Sequence, residues 1–225
     1  MAKSLQKLQA RKLRRIGRSI GEIAGELKVS KSSVSLWCSD IDLTPEQVAN
    51  LIEREGKGAA KGRQMAARLR KAERKQRVDK FCEIGLKKIG HLTNRERFLV
   101  GASLYWAEGS KKTREVMFAN SEPEMILLFL RWLIENILIT PERIYCRIGI
   151  NQEHEHRINV IEQYWSRVTG IPLQRFKKTI LRKVKIRKIY ENPDDYYGTL
   201  YVTVKCGTNL NYEILGYIEG LKLAA

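Results

Sequence analysis

Four stretches in the second half of the chain alternate apolar and polar side chains with period two. "RIYCRIGI" (143–150) sets Ile144, Cys146, Ile148 and Ile150 against Arg143, Tyr145 and Arg147. "TILRKVKIRKI" sets Val184 and Ile186 against Lys183, Lys185 and Arg187. "GTLYVTVKC" sets Leu200, Val202 and Val204 against Tyr201, Thr203 and Lys205, and in "EVMFAN" (115–120) Val116 and Phe118 oppose Met117 and Ala119. Side chains alternate across a strand, so these stretches predict a sheet with one apolar and one polar face, covered by helices on one side only. The polar face is cationic: from Arg175 to Lys188 there are eight basic residues and no acid. A merely soluble face would mix signs, whereas a twisted, basic, Tyr- and Thr-bearing face suits the major groove of DNA.

Helical patterns lie between these strands. Thr93 opens "TNRERFLVGASLYWAEGSKK", Ser121 and Pro123 open "SEPEMILLFLRWLIE", a further helix spans about 153–169 before Gly170, and the last runs through "NYEILGYIEGL". The first of these crowds small residues together. Ser103 and Ala107, four apart, share a face on which another helix can approach closely. Ala102, Ser103 and Ala107 are thus candidates for a dimer interface. Glu108 follows that seam, and Gly109 is expected to end the helix in the left-handed conformation. With a symmetric copy as partner, two Glu108 carboxylates would meet near the axis. They would repel unless a divalent cation lay between them.

The N-terminal part reads differently. In "RSIGEIAGELKVSKSSVSLWC" (18–38), Ser19 caps a helix carrying Ile20, Ile23, Ala24 and Leu27, and Ser30 caps a second carrying Val34 and Trp37 inward. This resembles the helix-turn-helix of resolvases and many bacterial regulators, with Lys28 where a turn glycine is usual. In that geometry Lys31, Ser32, Ser33 and Ser35 would face base edges. A connector follows. "LTPEQ" (43–47) is a capping box with Pro45 in the first helical position. Gly56, Gly58 and Gly62 then interrupt the chain. From Lys57 to Lys80 ten basic residues stand against Glu73 and Asp79, either as a solvated face or as an arm along DNA phosphates.

The division expected is a helix-turn-helix domain at 1–44, a basic helical connector at 45–92 and an α+β domain at 93–225. Residues 1–92 hold 22 basic and 10 acidic side chains, and the rest 20 and 15, within a formal net charge of +17. That excess points to a polyanionic partner. The four cysteines form no CxxC pair and read as free thiols. No apolar signal core and no bilayer-spanning run is evident, which predicts a cytoplasmic, nucleoid-associated protein with no membrane partner. His154 and His156 lie beside carboxylates, but their two-residue spacing sets them on different helix faces. No phosphate-binding loop, dinucleotide fingerprint or nucleophile elbow is present.

Residues 93–222 resemble the LAGLIDADG family of homing endonucleases and related DNA-binding proteins. "GASLYWAEG" (Gly101–Gly109) stands where the family has its nine-residue signature. Ala102, Ala107 and Gly109 match directly, Ser103 replaces a glycine, and Trp106 stands at the first acid of the name-giving signature. Glu108 falls on the acidic position. The resemblance implies an αββαββα domain with a mostly antiparallel DNA-binding sheet. It also implies a homodimer, since the chain holds one motif, and Mg²⁺ or Mn²⁺ held by Glu108. Lys205 is the candidate for supporting charge at the scissile phosphate. Lys111, Lys112, Arg143, Tyr145, Arg147, Lys183, Lys185, Arg187, Tyr201 and Thr203 are the candidate DNA contacts of the sheet side. Two functions stay open: site-specific, metal-dependent cleavage of double-stranded DNA, and non-cleaving transcriptional regulation on the same fold.

Overall fold

The computed structural model describes residues 2–55, 59–183 and 192–224. It is an α+β structure in two compact units that part between Gly90 and His91.

The first unit is helical. Helices α1 (Ala2–Arg15), α2 (Ile20–Glu26) and α3 (Lys31–Trp37) enclose a small core of Ala10, Ile23, Ala24, Val34 and Cys38. Ser19 caps α2 in a reciprocal box with Glu22, and Ser30 caps α3 through the Ser33 amide. Lys28, in the turn between them, has φ +51°. The turn therefore needs the left-handed residue that glycine would supply without strain, and a lysine holds it. Helix α4 (Pro45–Glu55) starts at the predicted Thr44–Gln47 box. Helix α5 (Ala59–Ile89) is continuous through Gly62.

The second unit runs α6 (Asn94–Glu108), β1 (Met117–Asn120), α7 (Pro123–Arg131), β2 (Ile144–Asn151), α8 (Ile158–Thr169), β3 (Phe176–Arg182), β4 (Thr199–Val204) and α9 (Thr208–Ala224). The sheet order is β1-β4-β2-β3; β4 pairs antiparallel with β1 and β2, while β2 and β3 are parallel. This departs from αββαββα. Helix α8 separates β2 from β3, and before β1 only an isolated bridge, Gly109 to Phe118, stands in place of a strand. A parallel pair needs such a crossover helix.

Inward strand residues Phe118, Ile144, Cys146, Ile148, Ile150, Leu200, Val202 and Val204 form one buried cluster with side chains from all four helices of the unit. Aromatic rings hold α6, α7 and β1 together: Phe129 lies 4.3 Å from Phe118 and 5.9 Å from Tyr105, centroid to centroid. The Tyr105 hydroxyl donates to the Ser110 carbonyl at 2.8 Å and to Asn211 at 3.2 Å, which ties α6 to α9.

Two helix-end expectations are corrected. The cap of α7 is Glu122, not Ser121, with Pro123 first in the helix and no side-chain cap bond; the Glu122 amide donates to Asn120 Oδ1 at 2.9 Å. Gly109 has φ −73° and is extended rather than left-handed. Its need for glycine is steric, since a Cβ there would fall 2.4 Å from the Tyr105 ring.

Gly101 is more crowded still: a Cβ would lie 2.0 Å from Trp132, whose indole nitrogen donates to the Phe98 carbonyl. Gly101→Ala is expected to cost about 1–3 kcal/mol, seen as a lower urea midpoint with an unchanged slope. An unchanged midpoint would mean that α6 and the Trp132 segment do not pack this closely.

Candidate nucleic-acid interface

The polar face of the sheet is built by strand alternation. Across β1, β4, β2 and β3 the ladder sets Met117, Thr203 and Tyr145 in one row, and Ala119, Tyr201, Arg147 and Lys177 in the next. Thr199, Gly149 and Ile180 form a third row, with Arg182 beside Asn151 at the end. None of the four strands contains an acidic residue. The cations are seated on rings. Arg175 and Lys177 each lie 5.7 Å from the Tyr145 centroid, and Arg182 lies 5.7 Å from that of Tyr201. Gly149 makes room for the latter pair, because a Cβ there would lie 3.0 Å from Tyr201 and 3.6 Å from the Arg182 guanidinium.

Among the described residues, strand β3 takes in the first part of the alternating stretch and starts ahead of it. It spans Phe176–Arg182 with an irregularity between its pairings to Arg147 and Gly149. There Thr179 turns to the helix side and donates to Glu162 at 2.8 Å. Lys177 and Arg182, which the local sequence pattern does not single out, are therefore on the open face, and Lys178 is exposed at the irregularity. Lys183 lies just past the strand, and Lys185 and Arg187 lie outside the described residues. Tyr145, Arg147, Tyr201 and Thr203 are on the open face as expected. Arg143 is instead at the end of a 3₁₀ turn, its guanidinium donating to the Lys205 and Cys206 carbonyls at 3.2–3.4 Å. Lys111 donates to the Trp106 carbonyl at the end of α6, and Lys112 is exposed beside it.

On α3, Lys31, Ser32 and Ser35 are exposed. Ser33 is half-buried, its hydroxyl 2.8 Å from that of Ser30, and the Ser32 hydroxyl lies 3.0 Å from the same atom. The open face of α3 also carries Leu36, 74% exposed and unflagged by the sequence pattern. Arg11 fixes α1 against the end of α3. It donates to the Trp37 carbonyl at 2.6 Å and to both carboxylate oxygens of Asp40 at 2.6 and 2.8 Å.

Glu108 is the last, exposed residue of α6, with Ser103 and Ala107 exposed on the same helix. Ala102 is different: it is fully buried in the chain's own core and is no part of an outer seam. Nor are Glu108 and Lys205 brought together within a chain. The Gly109–Phe118 bridge sets Glu108 beside the Ala119 end of β1, and Val204 bonds to Val116 at the other. Among the described residues no group of three His, Cys, Asp or Glu is placed to hold a metal. The donor set of one chain, a single carboxylate, does not fit a divalent-metal centre. His154 packs on the Tyr196 ring, with its pKa lowered by burial and by Arg157. The four cysteines are free, and burial pushes Cys146 up to about 12, which makes that thiol inert.

No protein-family model, curated protein or solved structure matches the chain. No described helix is long and apolar enough to cross a membrane.

The Arg11 hydrogen bonds hold Asp40 well below its ordinary 3.8, at about 2. A depressed carboxyl pKa adds stability above its unfolded value, and that stability is lost as pH falls toward the folded value. Wild type should therefore exceed Asp40→Asn in urea stability above about pH 4, and the difference should shrink toward pH 2. A difference independent of pH would show that the charge of Asp40 contributes nothing to the α1–α3 clamp.

Proposed function

We propose that the protein binds double-stranded DNA sequence-specifically through α3 and the open face of the sheet. The observation that carries this reading is the sheet face itself, four strands without an acid, with Arg175, Lys177 and Arg182 seated on Tyr145 and Tyr201. The major groove is about 12 Å wide and admits a helix or a two-stranded ribbon. The cations supply phosphate contacts, and side chains between them reach base edges. The helix-turn-helix pattern and the capped α3 support a second reading element, with Lys31, Ser32, Ser35 and Leu36 outward. The resemblance to the LAGLIDADG family favours the same polyanion. Replacing Lys177 and Arg182 together by Ala should weaken duplex binding about tenfold or more and reduce the salt slope by about 1–2. Binding and slope equal to wild type would remove the sheet face from the interface.

Cleavage is a second reading, favoured by one observation: the exposed Glu108 carboxylate at the end of a helix whose Ser103 and Ala107 are small and exposed. A homodimer through that face would pair two Glu108 carboxylates and supply the donor set that one chain lacks. Mg²⁺ or Mn²⁺ would be the ion. On this reading wild type nicks or linearises supercoiled DNA carrying the recognised site when Mg²⁺ is added, and Glu108→Gln does not. On the regulator reading neither protein cuts. Equal cleavage by both would exclude Glu108 as a ligand.

A further inference from the structure

Helix α5 carries a second pattern that DNA binding does not use. Val78, Cys82, Gly85 and Ile89 follow one another at spacings of four, three and four residues, with Phe81 and Leu86 flanking them. This is the spacing of a coiled-coil seam. In a single chain the stripe faces solvent: Val78 is 58% exposed, Ile89 68%, and Phe81, Cys82 and Leu86 are exposed as well. Ile84 is the one large apolar residue of this segment that falls off the face. The seam positions one heptad earlier are Lys71 and Lys75, so the apolar register begins only at Val78.

We propose that a second copy of this chain occupies this face, with the two α5 helices side by side in parallel as a short coiled coil over residues 78–89. The flanking positions choose both the partner and its direction. In a parallel pair each g position meets the e position five residues on in the other helix. Arg74 then faces Asp79 of the partner subunit, and Phe81 faces Leu86 of the partner subunit. An antiparallel pair with the same core layers would set Phe81 against a lysine and Asp79 against a leucine. The self-complementary arrangement is thus the parallel one. Upstream, Lys75 would repel its counterpart and Lys71 is held by Asp42 of its own chain at 2.7 Å, so the apolar contact ends at Val78. The seam has only four core positions, one of them a glycine, so this dimer is weak, of the small-interface kind. It is separate from any contact through Ser103 and Ala107.

Sedimentation equilibrium of the full chain without DNA tests the proposal independently of the DNA reading. A reversible species of twice 26.1 kDa is expected. Val78→Glu with Ile89→Glu, at two exposed positions that leave the helical circular dichroism intact, should raise its dissociation constant at least about tenfold. Val160→Glu, at an exposed position on α8, should leave it unchanged. In a Cys206→Ser protein a short bis-maleimide should join Cys82 to Cys82 of the partner subunit. A chain that stays monomeric up to about 1 mM overturns the proposal. So does a dimer indifferent to the double substitution, and a dimer that Cys82 cannot join overturns the parallel arrangement.

Discussion

Everything in the second unit depends on the sheet burying one face and only one. Phe118, Ile144, Ile148, Ile150, Leu200, Val202 and Val204 have almost no solvent exposure, and the helices that cover them bring Tyr105, Phe129, Trp132 and Trp165 to the same core. Because strand side chains alternate, burial of that set drives every intervening residue outward. The composition of the outward set is then what matters. It holds three threonine or tyrosine residues on β4, tyrosine and arginine on β2, and lysine and arginine on β3. Apolar burial on one side and cation display on the other are two consequences of one pattern.

The face is also organised laterally. A flexible cation pays entropy to be held in place, and seating on an aromatic ring offsets part of that cost. Tyr145 receives two cations and Tyr201 one, across neighbouring strands, with Gly149 as the gap that lets Arg182 reach its ring. On the proposed reading, a duplex would meet donors already positioned. On α3 the positions are set differently, by the Ser30 cap and by the Arg11 clamp on Trp37 and Asp40.

What could be read from the sequence was what depends on short-range periodicity. The alternation of β2 and β4 and the caps at Ser19, Ser30, Thr44 and Thr93 follow from neighbouring residues alone. What depended on distant contacts was not legible. Strand β3 begins at Phe176 because its pairing with Cys146 fixes the register, a constraint that no local pattern carries. The alternation of Lys183, Lys185 and Arg187 is visible locally, whereas the places of Lys177 and Arg182 depend on that pairing. Ala102 reads as one more small residue beside Ser103, yet one step around the helix takes it into the core. Gly109 looked like a left-handed stop and is held instead by the Tyr105 ring.

Photocrosslinking from the middle of the open face is the most direct measurement of whether it meets DNA. Benzoylphenylalanine introduced at Tyr201 keeps an aromatic ring on that face; the same probe at Val160, exposed on α8, samples the helical side. Irradiation with a duplex carrying the recognised site should join the Tyr201 probe to DNA and leave the Val160 probe unreacted. Crosslinking from Val160 with none from Tyr201 would contradict the account, because DNA would then lie on the side that the sheet turns away.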